Sequence, residues 1–198
     1  MIETQTSIIA WATETFGPDG SDFRLAARAN DELAELLRAI AGTEPCIHCG
    51  GSRDFDASNC PCGGAYASAI CAEAADVMIV LVRLAERHGL GILTRAADNM
   101  RGQRPAMLSV TAAKHMSMLL FRTESALNTP DVVKHDIVAI AFYLRQICHA
   151  LGRDLRQEVR DKMAINRQRR WVKNDAGRGH YTHVPDSVTV AGDRKSVV

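Results

Sequence analysis

Two carboxylate pairs carry the residue types and spacing best suited to chemistry in this chain. Glu32 and Glu35 stand in Asp31-Glu32-Leu33-Ala34-Glu35, and Glu73 and Asp76 bound Glu73-Ala74-Ala75-Asp76. Residues three apart on an α-helix share one face, about 60° apart around the axis. Two such helices side by side bring four carboxylates to one point. An oxygen-only donor set of that size suits a hard divalent cation such as Mg²⁺ or Mn²⁺, not zinc.

Both pairs need helices to position them. Leu33, Leu36, Leu37 and Ile40 fall at helical spacing and predict a helix from Ser21 or Asp22 to Ala41, with Gly42 as its stop. A second helix is expected from Tyr66 to His88. Its run Val77-Met78-Ile79-Val80-Leu81-Val82 is apolar all round, so the helix is buried. Glu73 and Asp76 share a stripe with Val80 and Leu84 and point towards the core. Their competing explanation is a favourable interaction with the helix dipole. Glu32 and Glu35 flank their apolar stripe, so an exposed acidic face competes more strongly there. Before these helices, Ile8-Ile9-Ala10-Trp11 is a short apolar segment leading to a Gly17-Pro18-Asp19-Gly20 turn. After them, helices are expected at about 92–103, ended by Pro105, then at 107–127, 130–149 and 154–171, the last one basic. The tail from Val172 is polar, and residues 185–198 read as flexible.

Between the acidic helices lies a cysteine-rich segment, residues 43–65. Cys46 and Cys49 form a Cys-x2-Cys pair, and Cys60 and Cys62 follow beside glycine pairs. Thiolates at such turns fit a structural zinc site that braces a loop, with His48 as a substitute ligand. A loop with incidental cysteines is the plainer alternative.

The chain also repeats itself. Asp76 precedes an apolar run and Leu84; Asp136 precedes another and Leu144, at the same interval. Carried backwards, the match places Glu35 on Met118, Glu32 on His115 and Glu73 on Val133. The second copy keeps one acid, Asp136, and lacks the other three. The helix–helix connection of the first copy is longer by the length of the cysteine segment, which therefore reads as an insertion. Two helical hairpins of one design would pack as an internal pseudo-dimer, and carboxylates projecting into such a bundle are a familiar metal site.

Composition bounds the rest. A chain of 198 residues with 46% hydrophobic residues and 5% aromatics suits one helical domain, about 1–184. A formal charge of +1 argues against stable nucleic-acid binding. The chain shows no secretory signal and no apolar run long enough to span a bilayer, so a soluble cytoplasmic protein is expected, with no membrane partner.

The acidic motifs resemble those of the MazG-like all-α nucleoside triphosphate pyrophosphohydrolases. The pattern Glu-Glu-x-x-Glu, a spacer, then Glu-x-x-Asp stands here with Asp31 in the first position and a lengthened spacer. Trp11-Ala12-Thr13-Glu14-Thr15-Phe16-Gly17-Pro18 and Lys162-Met163-Ala164-Ile165-Asn166-Arg167-Gln168-Arg169-Arg170-Trp171 further resemble the MazZ-type phage dATP/dGTP pyrophosphohydrolases associated with 2-aminoadenine DNA. The likeness covers about residues 5–184. It implies a bundle of two tandem MazG-like halves: a catalytic half at about 5–104, interrupted by the Cys-rich insertion, and a degenerate half at about 107–171. It implies hydrolysis of a (deoxy)nucleoside triphosphate, dGTP or dATP, to the monophosphate and pyrophosphate in the host cytoplasm. It further implies Glu32, Glu35, Glu73 and Asp76 as ligands of Mg²⁺ or Mn²⁺, with Glu35, or else Glu32, activating water, and a homo-oligomer, dimer or tetramer. A polyanionic substrate needs cations, and Lys162, Arg169, Arg170 and Arg28 are the candidates, with Asn166 as a polar contact. Trp11 is a candidate base-stacking residue, with the core as its alternative. The competing class is a zinc-stabilised helical binding or regulatory protein without catalysis.

Overall fold

A computed structural model describes residues 3–18, 20–42, 65–93, 103–125, 129–173 and 181–184. Among them are six helices: α1 (Gln5–Phe16), α2 (Asp22–Gly42), α3 (Ala65–Arg87), α4 (Pro105–Glu124), α5 (Pro130–Ala150) and α6 (Leu155–Gln168). A small antiparallel hairpin follows, β1 (Arg170–Lys173) and β2 (Tyr181–Val184), with Trp171 opposite His183. The molecule is an all-α helical bundle with this hairpin appended.

The buried apolar stripes explain the packing. Leu25, Ala26, Ala29, Leu33 and Leu36 form one face of α2. α3 is apolar nearly all round, with Ile70, Val77, Met78, Leu81, Val82 and Leu84 buried, and it occupies the centre, against α1, α2, α5 and α6. α2 packs also on α4, and α4 on α5. The α2–α3 pair is antiparallel: Asp22 at the start of α2 accepts from Arg87 Nε at 2.5 Å, at the end of α3, and its Oδ2 lies 2.9 Å from His88 Nε2. The α4–α5 pair runs the same way, since Arg122 late in α4 donates to the carbonyl of Val132 early in α5, at 3.0 Å. Cys71 on α3 and Cys148 on α5 are buried free thiols.

α3 and α5 end alike. Leu90 N–H donates to the carbonyl of Ala85 and Gly89 N–H to that of Glu86; Arg153 N–H donates to Cys148 and Gly152 N–H to His149. Each is a Schellman motif closed by a glycine at positive φ, 66° at Gly89 and 71° at Gly152. Measured from the matched Asp76 and Asp136, the capping glycine stands three residues later in the second copy, so α5 runs nearly a turn further than the repeat implies.

Four sequence expectations change. The basic helix stops at Gln168 and not Trp171, because Trp171 turns back: its ring lies 5.3 Å from Phe16 and its Nε1 donates to the Asn166 carbonyl at 3.1 Å. The residues that follow enter β1, not a polar tail. Ile92 and Leu93 are buried but not helical, pinned by Gln5, whose Oε1 accepts from Ile92 N–H at 3.1 Å, and by Arg156, which donates to the Leu93 carbonyl at 2.9 Å. Residues 94–102 of the expected helix lie outside the described residues, as do Cys46, His48, Cys49, Cys60 and Cys62. Finally, the N-terminal apolar segment is a full helix, opened by a capping box between Thr4 and Ser7.

Candidate functional site

α2 and α3 bring their acids together because both pairs sit where the two helices face each other. Glu32, Glu35 and Glu73 each present a carboxylate oxygen within 4.8 Å of the others. Glu32 is buried, Glu73 half-buried and Glu35 exposed. Thus Glu32, expected to flank the core, lies inside it, while Glu35 stands at the open side. Asp31 is exposed and stays outside the cluster. Asp76 lies one turn along α3 from Glu73, near enough to raise the carboxyls of both Glu32 and Glu73.

The electrostatics are those of acids crowded in a poorly hydrated space. The Glu32 carboxyl is pushed from 4.5 up to about 7, first by burial, with Arg28 opposing and Asp76, Glu35 and Glu73 adding to the rise. Burial likewise raises Glu73, reinforced by Asp76 and opposed by Lys162. Burial raises Asp76 too, although Lys162, Arg169 and Arg28 all pull the other way. Glu73 Oε2 is buried and accepts no hydrogen bond from the described residues. An orphaned carboxylate oxygen inside a cluster of acids is costly unless a cation completes it. The donor chemistry fits a hard cation: oxygens only, converging, with Glu73 Oε2 left without a partner among the described residues.

Basic residues rim the acids. Arg28, one turn before Glu32, forms an ion pair with it. Lys162, on α6, places its Nζ 2.5 Å from Asp76 Oδ2. α6 delivers it by burying Leu155, Val159 and Met163. Arg169, just past α6, is close enough to Asp76 to act on its carboxyl. Arg38, which sequence reasoning passed over, lies 3.8 Å from Glu35 and also opposes the rise at Glu73. The signal was its place one turn after Glu35, on the acidic face.

Two expected contacts have structural roles. Asn166 is buried; its Oδ1 accepts from Arg169 Nη1 at 3.3 Å, and its carbonyl holds the Trp171 indole. It orients Arg169 and anchors β1. Trp11 is a core residue and not an open stacking face: it is 9% exposed and packs edge-on to Phe16 at 5.2 Å and Trp171 at 6.3 Å. Arg170 opens β1 and is exposed.

No family model, no curated protein and no solved structure matches the chain. No described helix is long and apolar enough to cross a membrane.

Proposed function

We propose that this chain is a metal-dependent nucleoside triphosphate pyrophosphohydrolase, acting on a (deoxy)NTP such as dGTP or dATP to release the monophosphate and pyrophosphate. The observation that carries the reading is the orphaned Glu73 Oε2 within a converging set of carboxylates, in which burial raises the pKa of Glu32 and Glu73. Glu32, Glu35, Glu73 and Asp76 hold Mg²⁺ or Mn²⁺, and the cation, when bound, reverses the local field, binds phosphate oxygens and acidifies water.

The chain's own groups do the rest. Glu35, the most open of the acids, takes the proton of the water that attacks the α-phosphorus. Glu32 holds its place through Arg28. Lys162 moves from Asp76 to the phosphate oxygens as substrate arrives, and Arg169, aimed by Asn166, meets the charge growing on the leaving pyrophosphate. Preference for purine deoxynucleotides rests on the family resemblance, as does homo-oligomerisation, which sedimentation at micromolar concentration tests.

The test of the activity is a pyrophosphate-release assay on dGTP, dATP and the other nucleotides, with Mg²⁺ or Mn²⁺. Turnover that vanishes in Glu35→Gln and in EDTA supports the reading. Absence of turnover with every nucleotide, or full activity in Glu35→Gln, sinks it.

A further inference from the structure

The second helical pair holds its own cluster at the place where the first holds its acids. Across α4 and α5, His115 faces Asp136, its Nδ1 3.0 Å from Asp136 Oδ1. In the alignment of the two halves these positions correspond to Glu32 and Asp76. His135, next to Asp136, turns its Nδ1 towards the same oxygen at 3.5 Å. Ligand atoms of all three residues lie within 4.8 Å of one another.

These separations have a meaning in metal geometry. Imidazole nitrogens and carboxylate oxygens sit about 2.0–2.1 Å from zinc, so neighbouring ligands of a tetrahedral ion are about 3.3 Å apart. The two measured separations bracket that value. At 3.5 Å the His135 contact is too long for a good hydrogen bond to Asp136. Arg122 already pairs with the other oxygen, Oδ2, and is itself held by the Val132 carbonyl at 3.0 Å. That leaves Oδ1 turned to the two imidazoles, with the carboxylate oriented from behind as metal-ligating carboxylates are. The His115 ring is steadied on Tyr143, stacked at 5.9 Å with 22° between planes. Exposure is graded, from 2% for the Asp136 side chain through 21% for His115 to 70% for His135, which gives an ion an entry side and room for water ligands.

We propose that His115, His135 and Asp136 form a second metal site, selective for a borderline divalent ion of the zinc, cobalt or nickel class. Two imidazoles and one carboxylate favour such ions over Mg²⁺, which prefers oxygen. The two halves of the chain thereby hold ions of different hardness at corresponding positions. The ion in the second half clamps α4 to α5. The site stands independently of the nucleotide-hydrolysis reading, since it uses none of the same residues.

Zinc titration of the full-length protein, followed by long-range ¹H–¹⁵N correlation of the histidine rings, tests this. The probe reads imidazoles directly, so zinc taken up by the cysteine segment does not interfere. Wild type and the variants His115→Gln and His135→Ala assign the signals. The expected result is saturable movement of the His115 and His135 ring nitrogens as Zn²⁺ is added beyond what the cysteine segment takes up, and none with the same concentration of Mg²⁺. His135→Ala, an exposed position whose loss leaves the core untouched, should weaken zinc binding at His115 by at least about tenfold, while Glu35→Gln leaves it intact. Ring signals unmoved by Zn²⁺, or the same zinc affinity at His115 in His135→Ala, would overturn the site.

Discussion

Burial among other carboxylates raises the Glu32 carboxyl from 4.5 to about 7, and the consequence is a pH-dependent stability. Between those two values the unfolded chain has released this proton while the folded chain keeps it. Native stability of the metal-free protein therefore falls as pH rises through that window and levels off above it. Glu32 alone is worth on the order of 3 kcal/mol at the upper end; Glu73 and Asp76, also raised, act with the same sign. Thermal melts in EDTA should show the midpoint dropping between about pH 5 and pH 7.5, with a much shallower drop in Glu32→Gln. A flat profile in wild type would mean that Glu32 is not held in a poorly hydrated site. Lys162 supplies a second expectation at this scale. Bound to Asp76, it competes with a metal, yet it also serves the phosphates. Lys162→Met should leave Mg²⁺ affinity unchanged or stronger while raising KM for the nucleotide by about tenfold, a split that simple damage to the fold does not produce.

At the scale of single elements, α6 is the part on which the basic side of the site depends. It has 14 residues, opened by Asp154, whose side chain accepts from Arg156 N–H. Leu155, Val159 and Met163 bury one face, and Arg167 ties the other side to Glu3 at 2.7 Å. Met163→Ala should cost about 2–5 kcal/mol in urea unfolding, the range for truncating a fully buried methionine. Less than 1 kcal/mol would show that α6 docks through its polar contacts. The glycine caps make a separate point. No atom lies within 4 Å of a methyl group placed on Gly89 or Gly152, so only the backbone objects to a side chain there. Alanine at either position should cost about 1–2 kcal/mol, the penalty of the left-handed conformation, and the two costs should be similar.

Seen whole, the bundle sets two antiparallel pairs, α2–α3 and α4–α5, around shared apolar faces, and differs between them in chemistry. The first pair crowds its carboxylates and leaves Glu73 Oε2 without a partner among the described residues. In the second, Arg122 pairs with Asp136, the one acid kept at the matched positions. Glu32, Glu73 and Asp76 oppose folding when ionised, so a divalent cation should stabilise the whole molecule by mass action, by about 2.7 kcal/mol at a hundredfold excess over its dissociation constant. Because the cation needs ionised ligands, the gain in melting temperature with Mg²⁺ or Mn²⁺ should be larger at pH 8 than at pH 6. Calorimetry at the two pH values checks the order, and an equal gain at both would place the cation elsewhere.

The sequence by itself determined the helical class, the limits of α2, α3 and α5 to within one or two residues, and the four acids. These follow from local periodicity, turn residues and spacing, which act within a few residues along the chain. It also carried the repeat that sets His115 opposite Asp136. Tertiary structure decided what depends on contacts distant in sequence. It buried Glu32 and left Glu35 open, since a flanking position on α2 becomes interior only when α3 and its acids arrive. It brought Lys162 to Asp76 across more than eighty residues of chain. It ended α6 at Gln168 and turned the Trp171 ring back onto Trp11 and Phe16. And it took Trp11 into the core, a choice between two apolar environments that no pattern along the chain distinguishes.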